Sequence, residues 1–304
     1  MSAEIKIQEK VNLAEFTSWQ VGGDAEFYVA PTTIDELKQS MQAAHKNSWE
    51  MTILGGGTNT LVSDQGIKGL VIHTHLLNQI KVLEDDNRLV VEAYAGASKA
   101  EVLKVFMKQR LAPAIFFAGL PGDVAGGVVM NAGVGHKVSP KEFCEVVDGF
   151  DVLELNPETG DVTEKSFKNE DITWKYRKSL NWQPGIISKV RIAWPNEPDE
   201  AVLKQVREGN KRRKDTQPLN LPSCGSVFKN PEGDHAGRLI EAAGLKGFTI
   251  GGAQVSPKHA NFVVNIGGSS AQDIRDVILH VQNEVEKQFN ISLTNEVVFM
   301  GYFE

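Results

Sequence analysis

Three glycine-rich segments are the residues best suited to hold a reactive ligand. They are Leu54-Gly55-Gly56-Gly57-Thr58-Asn59-Thr60-Leu-Val-Ser63-Asp64, Ala118-Gly119-Leu-Pro121-Gly122-Asp123-Val-Ala-Gly126-Gly127, and Asn131-Ala-Gly133-Val-Gly135. Glycine has no Cβ to keep a ligand at a distance, so successive backbone N–H groups can close around a pyrophosphate. Each segment taken singly also reads as an ordinary tight turn. None fits G-x-G-x-x-G between a strand and a helix, and G-x-x-x-x-G-K-[ST] does not occur, which disfavours a Rossmann enzyme or a P-loop NTPase. His73 and His75 share one face of a strand, but no carboxylate or cysteine cluster accompanies them. Ordinary strand positions are the expectation there, and no metal. Lys211-Arg-Arg-Lys214 is a basic cluster that reads as a solvated helix end for two of its residues. The other two are available to pair with a diphosphate.

The elements that must position these segments follow from local signals. Thr33 and Glu36 predict a capping box, and Ile34, Leu37, Met41 and Ala44 follow at helical spacing, so a helix is expected over 33–46. Strands are expected at 51–54 and 70–74, and a hairpin at 80–83 and 89–94 about Asp85-Asp86-Asn87. Ser98 and Glu101 predict a second capping box and a helix ending near Pro113. Another hairpin is expected at 150–155 and 162–167, and Pro195-Asn-Glu-Pro198 is the best linker, leading to a helix from Asp199 to Lys214. Helices at 234–243 and 270–289 and a last strand over 291–300 complete an α+β chain. Its expected divisions are 1–75, 76–197 and 198–304.

With 304 residues, the chain exceeds the usual reach of one hydrophobic core, so a cleft between subdomains is expected. Its 41% hydrophobic and 23% charged residues exclude a disordered or collagen-like chain. Glu4, Lys6, Glu9, Lys10 and Glu15 stand where a signal peptide needs an apolar core, and a cytoplasmic protein is expected. The apolar stretch Leu111–Val134 is interrupted by Pro113, Pro121, Asp123 and glycines, so no membrane insertion is expected. Cys144 and Cys224 lie far apart and outside any C-x-x-C, which predicts reduced thiols. A net charge of −7 argues against broad nucleic-acid binding.

Read together, ten motifs give the chain a family resemblance. In order they are Thr17-Ser-Trp-Gln-Val-Gly-Gly-Asp-Ala25, Leu54-Gly-Gly-Gly-Thr-Asn59, Ala118-Gly-Leu-Pro-Gly122, Met130-Asn-Ala-Gly133, Tyr176-Arg-Lys-Ser179, Gln217-Pro218, Pro222-Ser-Cys-Gly-Ser-Val-Phe-Lys-Asn-Pro231, Ala236-Gly237, Ala243-Gly-Leu-Lys-Gly247 and His259-Ala-Asn-Phe262. In order and spacing the chain resembles the UDP-N-acetylenolpyruvoylglucosamine reductase family over nearly its whole length. Asp123 and Ala125 stand where relatives more often have Thr and Gly. The short interval between Arg177 and Lys211 resembles the subgroup without a long substrate-covering loop.

The resemblance implies two subdomains that bind FAD noncovalently, with a fold like that of vanillyl-alcohol oxidase relatives, and a third, α+β, for the UDP-sugar. It implies reduction of UDP-N-acetylglucosamine enolpyruvate, with NADPH as the hydride donor through FAD. Positions 54–60, with Gly119, Pro121, Gly122, Asp123, Gly126, Gly127, Asn131 and Gly133, would line the cofactor. Asn59 and Ser63 would add polar contacts to the cofactor, though both serve equally well as turn residues. Arg177 would hold the substrate carboxylate and the developing negative charge, Ser226 would donate the final proton, and Glu296, kept protonated by burial, would donate to the same charge. Tyr176, Lys211, Lys214, Lys229, Asn230, Gln254 and His259 would lie against substrate, the last two as contact or as support. No protein partner is implied.

The nearest rival is another flavin oxidase or dehydrogenase of the same superfold, against which the Gly-Ser-Val-Phe-Lys-Asn-Pro motif counts. A non-enzymatic nucleotide or RNA binder is weaker, because aromatics do not interleave with the basic residues.

Overall fold

The computed structural model describes residues 5–85, 87–135 and 139–303. Glu4 and the hairpin residue Asp86 lie outside the described residues. The chain divides into two compact units, both discontinuous in sequence. The first takes residues 1–8, 27–56 and 69–211, and the second takes 9–26, 57–68 and 212–304.

The first unit is built on a five-stranded antiparallel sheet in the order Ile80–Asp85, Arg88–Tyr94, Ile186–Pro195, Val147–Leu155, Val162–Lys168. Alternation sets its buried face: Leu89, Val91 and Ala93 point into the core, as do Val190 and Ile192 of the central strand. The helices Lys99–Lys108, Pro113–Phe117 and Val124–Val129 supply the other side of that core. Phe106, Phe116, Phe117 and Phe143 pack there ring on ring, with centroids 5.2–5.9 Å apart. The last of these helices begins inside the second glycine segment and runs two residues beyond it, where the sequence pattern predicted no helix. A smaller cluster buries Leu37, Met41 and Ala44 of the helix Ile34–Lys46 against Leu70 and Ile72. Met51–Leu54 pairs in parallel with Leu70–His73 on the same side.

Both expected capping boxes form only by half. Thr33 and Ser98 accept the N–H of Glu36 and Glu101 as expected. The Glu36 carboxylate, however, turns to the N–H and hydroxyl of Thr32, and Glu101 pairs with Lys104. The nearer donor wins in each case. Ser270 and Asp273 do complete a box, at the helix Ala271–Phe289.

The second unit packs that helix through Ile274, Val277, Ile278, Val281 and Val285, at 3.6-residue spacing, onto a core that includes the three-stranded antiparallel sheet Thr249–Ile250, Ala253–Val255, Val263–Asn265. Asp64 accepts the N–H groups of Ala271 and Gln272 at 2.8 and 2.9 Å, satisfying two donors that no helical carbonyl can reach. Trp19 is fully buried; its indole donates to the Val263 carbonyl at 2.8 Å, and Asn265 donates to the Trp19 carbonyl at 3.0 Å. Thr60–Val62 pairs in parallel with Val298–Met300.

The expected last strand over 291–300 is shorter than its hydrophobic pattern suggested. Only Val298–Met300 is strand. Residues before it take other partners: Gln282 donates to the Leu293 carbonyl at 2.7 Å, and Asn295 bridges Phe228. Glu296 therefore precedes the strand.

Candidate functional site

In the first unit, two glycine segments meet. A Cβ on Gly56 would lie 3.1 Å from the Cα of Gly122, an approach between backbones that only small residues permit. Asp123 fixes the meeting. One carboxylate oxygen accepts the Gly126 N–H at 2.6 Å, capping the helix Val124–Val129, and the other accepts the Gly56 N–H. The two glycine segments thus turn backbone N–H groups toward one anionic group, here the Asp123 carboxylate, with no other side chain of their own between them; donors presented in this way are what a dinucleotide pyrophosphate requires, so the residues present fit FAD. Gly119, Pro121 and Gly127 belong to the same turn and helix; Leu54 is buried.

The third segment leads to Arg177. Asn131 is fully buried, and its side-chain amide donates to Glu142 at 3.0 Å and to the Lys175 carbonyl at 3.1 Å, while its oxygen accepts the Cys144 N–H at 3.1 Å. It thereby anchors a short hairpin that the sequence reading missed, Thr173–Lys175 with Lys178–Leu180, whose turn is Tyr176 and Arg177. Arg177 has φ +57°, a conformation that L-residues with a side chain rarely take. Its guanidinium sits 4.9 Å from the centroid of the exposed Tyr176 ring and 3.4 Å from the Gly133 carbonyl. A methyl group on Gly133 would collide with it.

The rings of His73 and His75 lie 3.9 Å apart, tilted by 35°, and the Tyr28 hydroxyl bonds His73 Nδ1 at 2.8 Å. Burial pushes His73 down to about 3, so the imidazole is neutral across the physiological range.

In the second unit, the backbone segments that carry Ser226 and Glu296 are joined next to the serine. Val227 follows the serine, and its carbonyl accepts the Glu296 N–H at 2.7 Å. Asn59 donates through its side chain to the Glu296 carbonyl at 2.9 Å, and its own carbonyl accepts the Val298 N–H at 3.0 Å. Ser226 and Glu296 are both half-buried. Ser63 is buried and donates to the Tyr302 carbonyl. Gly57 opens this stretch with φ +61°, and a Cβ there would lie 1.9 Å from the Phe16 carbonyl oxygen, so no other residue fits.

Among the residues expected at substrate, the Asn230 side chain caps the helix Ala236–Ala242 by accepting the Ala236 N–H at 3.1 Å. Gln254 donates to Thr249 at 3.0 Å. His259 accepts the Asn261 N–H at 3.3 Å, and burial lowers its pKa. Lys214 is exposed in the last turn of the helix Val202–Thr216, with its carbonyl bonded by Lys258, and Lys229 is half-buried. Lys211 and Arg177 belong to the first unit.

Asn261 lies in the His259-Ala-Asn-Phe262 motif, where nothing in the local pattern signals a role for it. It is buried and clamps Phe228, donating to its carbonyl at 2.8 Å and accepting its N–H at 3.0 Å. This holds the strand-like run that carries Ser226. Asn261→Ala leaves both Phe228 groups buried without partners, at about 1–3 kcal/mol each. A lower urea midpoint at unchanged slope is the expected result.

Comparison with known proteins establishes the family. The family described as FAD binding domain matches residues 25–162, and the UDP-N-acetylenolpyruvoylglucosamine reductase C-terminal domain matches residues 217–300. The UDP-N-acetylenolpyruvoylglucosamine reductase of Clostridium beijerinckii is 38% identical over 299 residues, covering 98% of this chain and 94% of that one. That of Synechocystis sp. is 38% identical over 302 residues, covering 98% and 92%. The crystal structure of the Thermus caldophilus enzyme superposes with a TM-score of 0.77 at 28% identity, covering 98% of this chain and 99% of that one. Similarity of this extent, running through both family domains, means that the chain belongs to the UDP-N-acetylenolpyruvoylglucosamine reductase family.

Proposed function

We infer that the chain reduces the enolpyruvyl group of UDP-N-acetylglucosamine enolpyruvate, giving UDP-N-acetylmuramate for peptidoglycan synthesis. When bound, FAD would supply the hydride chemistry between NADPH and the enolpyruvyl methylene carbon. What remains for the protein is charge and a proton. Hydride addition leaves negative charge on the adjacent carbon and its carboxylate. Arg177, permanently charged and planar, holds that carboxylate. Ser226 gives the proton that quenches the carbon, and Glu296 is the third group at the developing charge, where its neutral form would donate a hydrogen bond. Gly55, Gly56, Gly119, Gly122 and Gly126 would hold the FAD pyrophosphate, and Lys214 and Lys229 of the second unit would attract the UDP diphosphate. Both co-substrates are soluble nucleotides, which supports a cytoplasmic location. No helix among the described residues is long and apolar enough to cross a membrane.

The observation that supports the assignment of roles is the backbone hydrogen bond from the Glu296 N–H to the Val227 carbonyl, which sets the chain segment carrying the proposed acid beside the one carrying the proposed proton donor. An anaerobic spectral titration tests the reaction. Added NADPH is expected to bleach the flavin band, and UDP-N-acetylglucosamine enolpyruvate to restore it. Bleaching without recovery would move the substrate elsewhere. Fast reoxidation by oxygen would favour an oxidase.

A further inference from the structure

The helix Lys99–Lys108 begins with a lysine, at the end where the helix dipole disfavours a cation. That lysine is also buried. Lys99 is 4% exposed, the only buried lysine or arginine among the described residues. A cation is not kept there by packing alone, because an apolar side chain of the same length would avoid the cost of desolvation.

Its surroundings show what it faces. The ammonium donates to the Pro121 carbonyl at 2.9 Å and lies 5.6 Å from the Phe143 ring centroid. A Cβ on Gly127 would come within 2.9 Å of its Cε. The Lys99 N–H donates to the Gly122 carbonyl at 2.9 Å. Every one of these contacts is to the turn that carries Asp123 or to the aromatic packing behind it. Asp123 itself is buried, and its carboxylate braces Gly56 against Gly126. Burial pushes the Lys99 ammonium down to about 8, against the opposing pull of Asp123, so the cation persists at neutral pH.

Resting on the reading of these glycine segments as the FAD pyrophosphate site, an ionised carboxylate there is a liability as well as a brace. It would repel a ligand carrying negative charge. We propose that Lys99 is a positioning residue of the cofactor site, a buried counter-charge that lets Asp123 brace the two glycine segments without repelling the FAD pyrophosphate. The lysine does not touch the cofactor in this account. It acts through Asp123.

The test is a double-variant cycle on flavin-free protein, read as the FAD dissociation constant from quenching of flavin fluorescence, with the melting temperature of each apoprotein beside it. Lys99→Met keeps the length of the side chain and removes the charge, and is expected to weaken FAD binding roughly 10–100-fold. Asp123→Asn is expected to tighten it severalfold. Lys99→Met with Asp123→Asn is expected to return the constant to within about threefold of the parent, because the repulsion and its remedy leave together. A lysine that only packs gives the opposite pattern, with the double variant no better than Lys99→Met, and that result overturns the proposal. Should Lys99→Met fail to fold, the double variant decides alone, folding and binding FAD if charge is the issue and failing if packing is. A parent protein that binds no FAD overturns the reading of the glycine segments themselves, an outcome distinct from an unrescued double variant.

Discussion

Ser226→Ala is expected to leave reduction of the flavin by NADPH within a few-fold of the parent and to slow reduction of the enolpyruvyl substrate by about 10²–10⁴, the usual worth of a positioned proton donor. The serine is half-buried on a run whose backbone is fixed on both sides: by Asn261 at Phe228, and by Glu296 at Val227. Loss of one hydroxyl therefore leaves the frame in place. Single-turnover kinetics separate the two half-reactions, the first monitored as bleaching and the second as recovery of the flavin band. Equal loss in both halves, in a variant that melts with the parent, would remove Ser226 from proton donation and return it to a turn residue. Substrate deuterium content after turnover in heavy water gives an independent readout, since the proton that the serine supplies comes from solvent.

Arg177→Gly is expected to separate stability from activity in the opposite sense from most substitutions. At φ +57° the arginine carries about 1–2 kcal/mol of backbone strain that glycine does not. Glycine gives part of this back through the freedom of the unfolded chain, so stability should stay within about 1 kcal/mol of the parent. Reduction of substrate should nevertheless fall about 10²–10³-fold, the scale set by loss of one electrostatic donor at developing charge. A strained conformation persists only where its surroundings hold it. Here Asn131, through Lys175, and the contact with Gly133 supply that hold. Arg177→Lys should not restore the rate, because a point charge on a flexible stem does not reproduce the planar fork. Retention of full substrate reduction by Arg177→Gly would eliminate the proposed role.

What could be read from the sequence was whatever local chemistry decides. Thr33 and Ser98 cap helices because a hydroxyl satisfies an orphan N–H wherever it occurs, and both hairpins of the large sheet follow from alternation about polar turns. The three glycine segments were legible as a set, and two of them do meet, at Gly56 and Gly122. Contacts between distant residues leave no such trace. Nothing in the periodicity around Trp19 names Val263 as its partner, and nothing around Thr60 names Val298. The final strand was overestimated because Leu293 and Val297 are both buried, yet the backbone between them is irregular and bonded to Gln282 and Val227. Asp123 stood out as a departure from the family pattern. Its companion Lys99 did not, because a lysine just inside a capped helix looks like a solvated residue until its burial is known.

The bond from Trp19 to Val263, which spans 244 residues, also dictates when this protein can fold. A ribosome adding 5–20 residues per second needs roughly 10–50 s to make the partner after the tryptophan has emerged. Through that interval the early segments of the second unit, with a large indole and the unpaired edge of Thr60–Val62, wait without their core. The first unit, whose five-stranded sheet is complete by Pro195, has most of its own partners by then. Recombinant yield should therefore depend more on protecting nascent chains, by lower temperature or added chaperones, than on the stability of the finished enzyme.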